Sequence, residues 1–176
     1  MVKVLNKPIG LLGGSFDPAH KGHLAISKIA IKKIKLEKIF WIVARKNPFK
    51  QQPLYPLSER IIRAKKITKK IKKIKVIYLD STLKSSRSIN VINYLTSKKK
   101  LKNIYFIIGS DNLIQFHKWK NWKKIVKLTK LIVFSRKGYD KKSRKSVVAK
   151  YLKNKIIFIN NKPITISSTK LRGQAQ

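Results

Sequence analysis

The sequence contains no cysteine, so neither a disulfide framework nor a cysteine-based metal site is possible. Only six of the 176 residues are acidic, which argues against a carboxylate cage for two metal ions. No apolar stretch approaches the ~20 residues that span a bilayer. Lys3, Asn6 and Lys7 interrupt the N-terminal apolar runs, unlike a secretory signal. We therefore expect a cytoplasmic protein without a membrane partner, folded as a single domain over residues 1–176.

Basic residues are as abundant as acidic residues are scarce. Lysine and arginine number 44, which gives a formal net charge of +38 at pH 7 and raises the hypothesis of nucleic-acid binding. The basic residues run through every segment, however, and only seven are arginine, which specific nucleic-acid readers favour for its bidentate fork. We expect no specific nucleic-acid partner, but a favourable electrostatic field for anionic mononucleotides.

Short apolar runs alternate with amphipathic stretches, and the runs are nearly continuous, as expected for strands covered on both faces. We predict six strands, at Ile9–Leu12, Lys38–Val43, Lys75–Leu79, Asn103–Ile108, Leu131–Ser135 and Ile156–Ile159. Helical patterns occupy Gly22–Lys33, Ser58–Lys70, Ser88–Ser97, Trp119–Leu128 and Lys142–Lys153, with a mobile surface loop expected at Lys137–Lys145. This order predicts an α/β, three-layer Rossmann-like fold with a mostly parallel sheet of five to six strands. Ligands bind such sheets at the carboxyl ends of the strands.

The segment Gly13–His23 carries the clearest chemical signal. It follows the first predicted strand, and its two adjacent glycines allow a sharp turn and a close approach to a ligand. A helical pattern begins near Lys21, and the unpaired N–H groups of a helix start are a common phosphate seat. His20 and His23 are three residues apart, so both imidazoles are expected on one helix face. The segment therefore indicates a site for a polyphosphate.

Several segments resemble the nucleotidylyltransferase superfamily, and together they resemble the bacterial nicotinate-nucleotide adenylyltransferases. The superfamily has a Gly-Gly-x-Phe-Asp-Pro turn followed by His-x-Gly-His, which residues 13–23 match. Three further segments are similar to loops of the narrower family: Asn47–Lys50, Ile108–Leu113 followed by Trp119, and the Ile-Ser-Ser-Thr-x-Leu-Arg run at 166–172. The similarity extends from Ile9 to Arg172.

The resemblance implies attack of a mononucleotide phosphate on the α-phosphorus of ATP, with release of pyrophosphate. His20 and His23 are the implied catalytic residues, because they can donate hydrogen bonds to phosphoryl oxygens. The implied ATP and phosphate ligands are Gly13, Gly14, Ser15, Phe16, Lys50, Gly109, Asp111, Arg136, Ser168, Thr169 and Arg172. Ser88 and Trp119 are implied on the nicotinate mononucleotide side. Mg²⁺ is expected on the ATP phosphates, with no protein metal site.

Several of these residues also have an ordinary structural interpretation. Asp111 is equally compatible with capping of a short helix, and Lys50 with a solvated surface charge. Trp119 lies at helical spacing from Trp122, a pattern that core tryptophans share. Asp17 is expected to orient the turn rather than to bind a metal.

The chain departs from the family pattern in three places. Arg87 and Ser88 stand where the family has Tyr-Thr, which keeps a hydroxyl near the expected nicotinate carboxylate and adds a charge. Phe49 replaces a histidine that many members have. The sequence ends four residues after Arg172, so the resemblance implies a C-terminal helix truncated to little more than one turn.

The sequence therefore predicts an enzyme that transfers the adenylyl group of ATP to nicotinate mononucleotide, giving nicotinate adenine dinucleotide and pyrophosphate in NAD biosynthesis. A pantetheine-phosphate adenylyltransferase is one alternative, with the same fold and reaction. That family usually has Thr in place of the first histidine and lacks the Gly-x-Asp…Trp segment, so His20 and Trp119 argue against it. A basic protein that binds nucleic acid without catalysis is the other alternative.

Overall fold

The computed structural model describes residues 7–47 and 51–161, together with Leu171 and Gly173. Its strands are β1 (Ile9–Gly14), β2 (Lys38–Val43), β3 (Ile74–Ile77), β4 (Ile104–Gly109), β5 (Lys130–Phe134) and β6 (Ile157–Ile159). All five pairings are parallel, and the spatial order is β3-β2-β1-β4-β5-β6. The sheet confirms the Rossmann-like α/β fold that the sequence predicts.

Helices cover both faces of the sheet. Within the described ranges they are α1 (Lys21–Ile34), α2 (Leu57–Thr68), α3 (Asp80–Leu83), α4 (Ser88–Ser97), α5 (Ser110–Gln115), α6 (Trp122–Leu128), α7 (Asp140–Arg144) and α8 (Val147–Leu152). Single 3₁₀ turns lie at Phe116–Lys118 and Lys153–Lys155. α1 and α2 pack on one face, and α4, α5, α6 and α8 on the other. In the part of the chain that the structure describes, no helix has the length and apolar character needed to cross a membrane.

The central strands bury side chains on both faces, which explains their nearly continuous apolar runs. In β4, Phe106 and Ile108 enter the core that includes α4, whereas Ile107 enters the core that includes α1. In β5, Val133 and Phe134 divide between the same two cores. The sheet is therefore the rigid middle layer, and loops at its carboxyl edge are held by two packed cores.

Most predicted elements lie within two residues of the observed ones, but the region after β4 differs. The helix expected at Trp119–Leu128 begins only at Trp122, because Asn121 adopts a left-handed conformation with φ 54°. The loop expected at Lys137–Lys145 contains α7, so that prediction is wrong. The helix expected at Lys142–Lys153 is divided instead between α7 and α8.

Local capping explains two further differences. α8 starts anew because Ser146 is extended, and its Oγ accepts the N–H of Ala149 at 3.2 Å. Ser58 does not cap α2, which begins after Pro56 without a side-chain cap. α3, a single turn that begins at Asp80, was not predicted.

The topology creates a crevice between β1 and β4. From β1 the chain proceeds outward through β2 to β3, then crosses back and continues outward in the other direction from β4. Loops that leave the carboxyl ends of β1 and β4 therefore diverge, which leaves space for a ligand. β1 ends at Gly14 and β4 at Gly109, so two of the predicted glycine segments meet at this crevice.

Candidate active site

A cavity of about 640 Å³ occupies this crevice. Most of the predicted site residues that the structure describes line it: Gly13, Gly14, Ser15, Phe16, His20, His23, Ser88, Gly109, Trp119 and Arg136. A volume of this size is typical of small-molecule sites. The cavity therefore brings together residues that are separated by up to 123 positions in the sequence, from Gly13 to Arg136.

His20 and His23 are held by hydrogen bonds at the start of α1, where both line the cavity. His20 is the N-cap of α1, and its Nδ1 accepts the N–H of Gly22 at 3.0 Å. The Nδ1 of His23 accepts the N–H of His20 at 3.3 Å, which completes a reciprocal capping box. The two ring centroids are 3.9 Å apart, so the predicted placement on one face is confirmed.

These two hydrogen bonds determine which ring nitrogen carries the proton. A neutral imidazole has one donor and one acceptor nitrogen, and Nδ1 is the acceptor in both rings. Nε2–H is then the donor of His20 and of His23. The same bonds occupy the start of α1, since the N–H of Gly22 is taken by His20. One N–H at this helix start is therefore already bonded to an imidazole, and phosphate binding there stays a prediction.

The pKa of His20 is lowered from 6.5 to about 4, because burial disfavours the charged ring and the positive charge of Arg136 acts in the same direction. His20 is 7% exposed. At neutral pH its ring is therefore uncharged and presents an Nε2–H donor without a net charge that would need solvation.

The lowered pKa also predicts a loss of stability in acid. Between pH 6.5 and about 4 the unfolded chain binds a proton at His20 and the folded protein does not, so the free energy of unfolding falls as the pH falls through this window. Above pH 6.5 this contribution to stability is fully retained. We expect the melting temperature to fall more for the wild type than for His20→Asn between about pH 7 and about pH 5, measured by circular dichroism. An equal fall in both proteins would contradict the lowered pKa.

Packing beneath the rings fixes their positions. The ring of Phe16 stacks on Trp41 at a centroid distance of 5.0 Å and lies 4.8 Å from that of His23. The Nε1–H of Trp41 donates to Ser27 Oγ at 2.8 Å, and that hydroxyl donates to the carbonyl of His23 at 2.8 Å. Phe16 is 1% exposed, so its side chain supports the glycine turn from within the core.

Arg136, which follows β5, is bonded to residues that follow β4. The backbone N–H of Arg136 donates to Ser110 Oγ at 2.9 Å and to Asp140 Oδ1 at 3.1 Å. Its side-chain Nε lies 3.4 Å from Asp111 Oδ1. A Cβ at Gly109 would stand 3.2 Å from this Nε and would collide with Asp111 Oδ1, so a glycine leaves the space that the pair occupies.

The structure contradicts one of the two sequence interpretations of Asp111, the helix cap. It is not the cap of α5, because Gly109 is the N-cap and Asp111 lies in the first turn. Among the described residues that line the cavity, Gly109 and Asn112 are present but Asp111 is not. The observed contact of Asp111 is with Arg136, and a direct role toward the adenosine stays a prediction.

Ser88 and Trp119, the residues expected on the nicotinate side, also line the cavity. Ser88 is the first residue of α4, and Arg87 precedes it as the N-cap. Trp119 lines the cavity while its ring stacks on Phe116 at 4.9 Å, so it is both a wall of the cavity and part of the core. Trp122 packs against Tyr151 at 5.1 Å and does not line the cavity.

Four predicted phosphate ligands, Lys50, Ser168, Thr169 and Arg172, lie outside the described residues and stay predictions. Within those residues, the rim of the cavity is strongly basic. Besides Arg136, five cationic side chains line it: Lys46, Arg87, Lys118, Lys120 and Lys137. Such a concentration of positive charge favours an anionic ligand and raises its local concentration.

Sequence analysis missed Arg60, although it holds the walls of the cavity together. Its guanidinium donates to four backbone carbonyls: those of Ser15 (2.6 Å), Ala44 (2.8 Å), Tyr55 (3.0 Å) and Arg45 (3.0 Å). It is 2% exposed. The one signal in the sequence is an arginine on the Ile61–Ala64 side of a helix whose other cations are mostly lysine.

Asp17 orients the turn, as the sequence predicts. Its two carboxylate oxygens accept the N–H groups of Leu54 and Tyr55, each at 2.9 Å, and the residue is 2% exposed. The carbonyl of Tyr55 also accepts a hydrogen bond from Arg60, which donates to Ser15 and Ala44 as well. The glycine turn, the end of β2 and the start of α2 therefore form one hydrogen-bonded unit.

Comparisons with known proteins show what the whole chain is similar to. Residues 11–174 match the model of the cytidylyltransferase-like family. A protein of Pelagibacter ubique named probable nicotinate-nucleotide adenylyltransferase is 51% identical over 165 residues, which are 93% of this chain and 91% of that protein. A protein of the same name from Cereibacter sphaeroides is 30% identical over 179 residues, covering 94% of this chain and 96% of that protein.

A solved structure shares the fold. The nicotinic acid mononucleotide adenylyltransferase of Plasmodium falciparum complexed with NaAD has a TM-score of 0.77 against this chain at 21% identity, covering 96% of this chain and 83% of that one. The same enzyme complexed with APC gives a TM-score of 0.76.

Proposed function

Because the chain belongs to the nicotinate-nucleotide adenylyltransferases within the cytidylyltransferase-like family, we propose that its cavity is the active site, with His20 and His23 as catalytic residues. The enzyme transfers the adenylyl group of ATP to nicotinate mononucleotide, giving nicotinate adenine dinucleotide and pyrophosphate in NAD biosynthesis. We also propose that the reaction takes place in the cytoplasm.

The paired imidazoles are the observation that carries this proposal. In the reaction, a phosphate oxygen of the mononucleotide forms a bond to the α-phosphorus of ATP, and the bond from that phosphorus to the β-phosphate oxygen breaks. The substrate is itself the nucleophile, so the protein supplies position and stabilisation of charge. His20 and His23 offer two fixed Nε2–H donors within one turn of α1, suited to the oxygens of the α-phosphate.

The remaining assignments concern binding of the two substrates. Gly13, Gly14 and Ser15 let the backbone approach the triphosphate, and Arg136, which follows β5, adds a cation to the cavity. Ser88 and Trp119, which also line the cavity, are assigned to the mononucleotide by resemblance to the family. Lys50, Ser168, Thr169 and Arg172 are assigned to the phosphates by resemblance to the family motifs.

Mg²⁺ fits this site as an ion carried by the triphosphate. Asp80 is the one carboxylate among the described residues that line the cavity, and its Oδ2 already accepts two hydrogen bonds. Magnesium commonly keeps several waters and binds substrate phosphates. When bound, it would neutralise phosphate charge during the transfer.

The proposal is tested by incubating the purified protein with ATP, Mg²⁺ and one acceptor at a time, and measuring pyrophosphate and dinucleotide. We expect product with nicotinate mononucleotide. Pyrophosphate formed only with phosphopantetheine would support the pantetheine-phosphate alternative instead. Absence of turnover with every acceptor, combined with sequence-selective binding of RNA or DNA, would support the nucleic-acid alternative.

A further inference from the structure

One wall of the cavity is built by the short segment 80–88, which connects the edge strand β3 to α4. Asp80, Ser86, Arg87 and Ser88 of this segment line the cavity. The segment follows the strand farthest from β4 on that side of the sheet, so the ladder of β1 does not position it. Side-chain contacts must therefore hold the segment against the cavity.

Asp80 makes those contacts through one buried oxygen. Its Oδ2 accepts the backbone N–H of Arg45 at 2.7 Å and also accepts the hydroxyl hydrogen of Ser86. Asp80 is 7% exposed, and hydrogen bonds to an ionised carboxylate are stronger than those between neutral groups. Because Arg45 follows β2, a single atom connects the end of a central strand to the wall that carries Ser88.

A nearby cation compensates the buried charge of Asp80. The guanidinium of Arg60 donates to the carbonyl of Arg45, the residue whose N–H is bonded to Asp80. Burial lowers the pKa of Arg60, while the negative charges of Asp17 and Asp80 oppose that shift. Asp80 Oδ1 has no hydrogen-bond partner among the described residues, so the charge of Arg60 adds to the two hydrogen bonds at Oδ2 in stabilising the carboxylate.

The start of α4 needs this support because it lacks a cap of its own. Its N-cap is Arg87, which makes no side-chain capping bond. The N–H of Arg87 donates to Ser85 Oγ at 3.2 Å, a local contact within the same exposed segment. The hydroxyl of Ser86 instead reaches Asp80, which is 7% exposed, and adds a polar contact to the apolar packing of Leu83 and Ile89 against the core.

We propose that Asp80 is a positioning residue for the acceptor substrate: acting through Ser86, it holds Arg87 and Ser88 at the wall where nicotinate mononucleotide binds. This inference rests on the proposed function, which assigns the mononucleotide to that wall. The residues proposed to bind ATP include Gly13 and Arg136, and the hydrogen bond between Ser86 and Asp80 involves neither of them. Loss of the contact should therefore weaken binding of one substrate and spare the other.

The test compares Ser86→Ala with Ser81→Ala, a matched control in α3 whose exposed side chain does not line the cavity. For Ser86→Ala we expect KM for nicotinate mononucleotide to rise about tenfold, the size expected for loss of a charge-assisted hydrogen bond, with KM for ATP within about twofold of wild type. Ser86→Thr, which keeps the hydroxyl, should restore most of the loss. Calorimetric titration of nicotinate mononucleotide should show the same weakening in Kd.

The possible outcomes distinguish the proposed function from the positioning role of Asp80. If wild type makes no dinucleotide from nicotinate mononucleotide, the proposed function is wrong, whatever the variants do. If wild type is active and Ser86→Ala leaves KM for the mononucleotide within about twofold, the positioning role is wrong and the function stands. An equal rise in both KM values, accompanied by a lower melting temperature, would also overturn it, because it would indicate a general loss of structure.

Discussion

Replacement of His20 with asparagine is expected to lower kcat by on the order of 10²–10³, the effect of removing one donor from a charge-stabilising site. Asparagine is among the preferred N-cap residues, and its Oδ1 can take the position of Nδ1 and accept the N–H of Gly22. The variant therefore keeps the start of α1 but lacks the Nε2–H donor. Steady-state kinetics with ATP and nicotinate mononucleotide measure the effect, and circular dichroism shows whether the helix is retained.

His23→Asn follows the same design, because its Oδ1 can accept the N–H of His20 in place of Nδ1. We expect a comparable loss of kcat with KM for ATP changed much less. His117→Asn is the matched control: its ring contacts the carbonyl of Ile114 at 3.1 Å and does not line the cavity. Full activity of His23→Asn, or an equal loss in the His117 variant, would remove the imidazole pair from the mechanism.

Replacement of Arg60 with methionine is expected to cause the largest loss of stability. Methionine retains the apolar stem but leaves four carbonyls without their donor and removes the cation beside Asp17 and Asp80. Breaking a buried charged network costs about 3–5 kcal/mol, a large part of the ~5–15 kcal/mol that stabilises a typical domain. At ~2–4 °C per kcal/mol for a chain of this size, the melting temperature should fall by roughly 6–20 °C.

Arg63→Met is the control for this experiment, one turn away on the same helix. Arg63 is exposed and pairs with Glu59 at 2.6 Å, an i,i+4 surface pair of the kind that contributes about 0.3–0.5 kcal/mol. Its guanidinium also lies 4.4 Å from the ring centroid of Tyr55, which adds a modest cation–π contribution. We expect its melting temperature to change by no more than about 4 °C. Similar shifts for both arginines would contradict the structural role of Arg60.

The sequence predicted the fold and the centre of the site for identifiable reasons. Strands buried on both faces produce nearly continuous apolar runs, which are a clear signal in the sequence. The observed bounds of β2 coincide with the predicted ones. The segment Gly13–His23 concentrates turn, helix start and imidazoles within eleven residues, so local sequence alone placed His20 beside His23. Spacing along a helix and the order of strands are properties that a sequence displays directly.

The supporting groups were missed because their roles depend on distant segments. Arg60 lies on a lysine-rich helix and becomes buried only because carbonyls from residues 15, 44 and 45 converge on it. Asp80 connects its segment to the end of β2 by accepting the N–H of Arg45, a residue 35 positions earlier in the chain. All five residues of α7 are polar, a composition that favours a loop, whereas Ser143 is buried by tertiary packing.

The dual use of His20 restricts how this active site can change during evolution. A residue at this position must accept the N–H of Gly22 as well as donate a hydrogen bond to a ligand. Replacement by a large apolar residue would therefore remove the cap of α1 and the Nε2–H donor together. Substitutes are therefore limited to short polar side chains that accept a hydrogen bond from the backbone. The threonine usual at this position in pantetheine-phosphate adenylyltransferases belongs to that set, since its hydroxyl can accept the same backbone N–H.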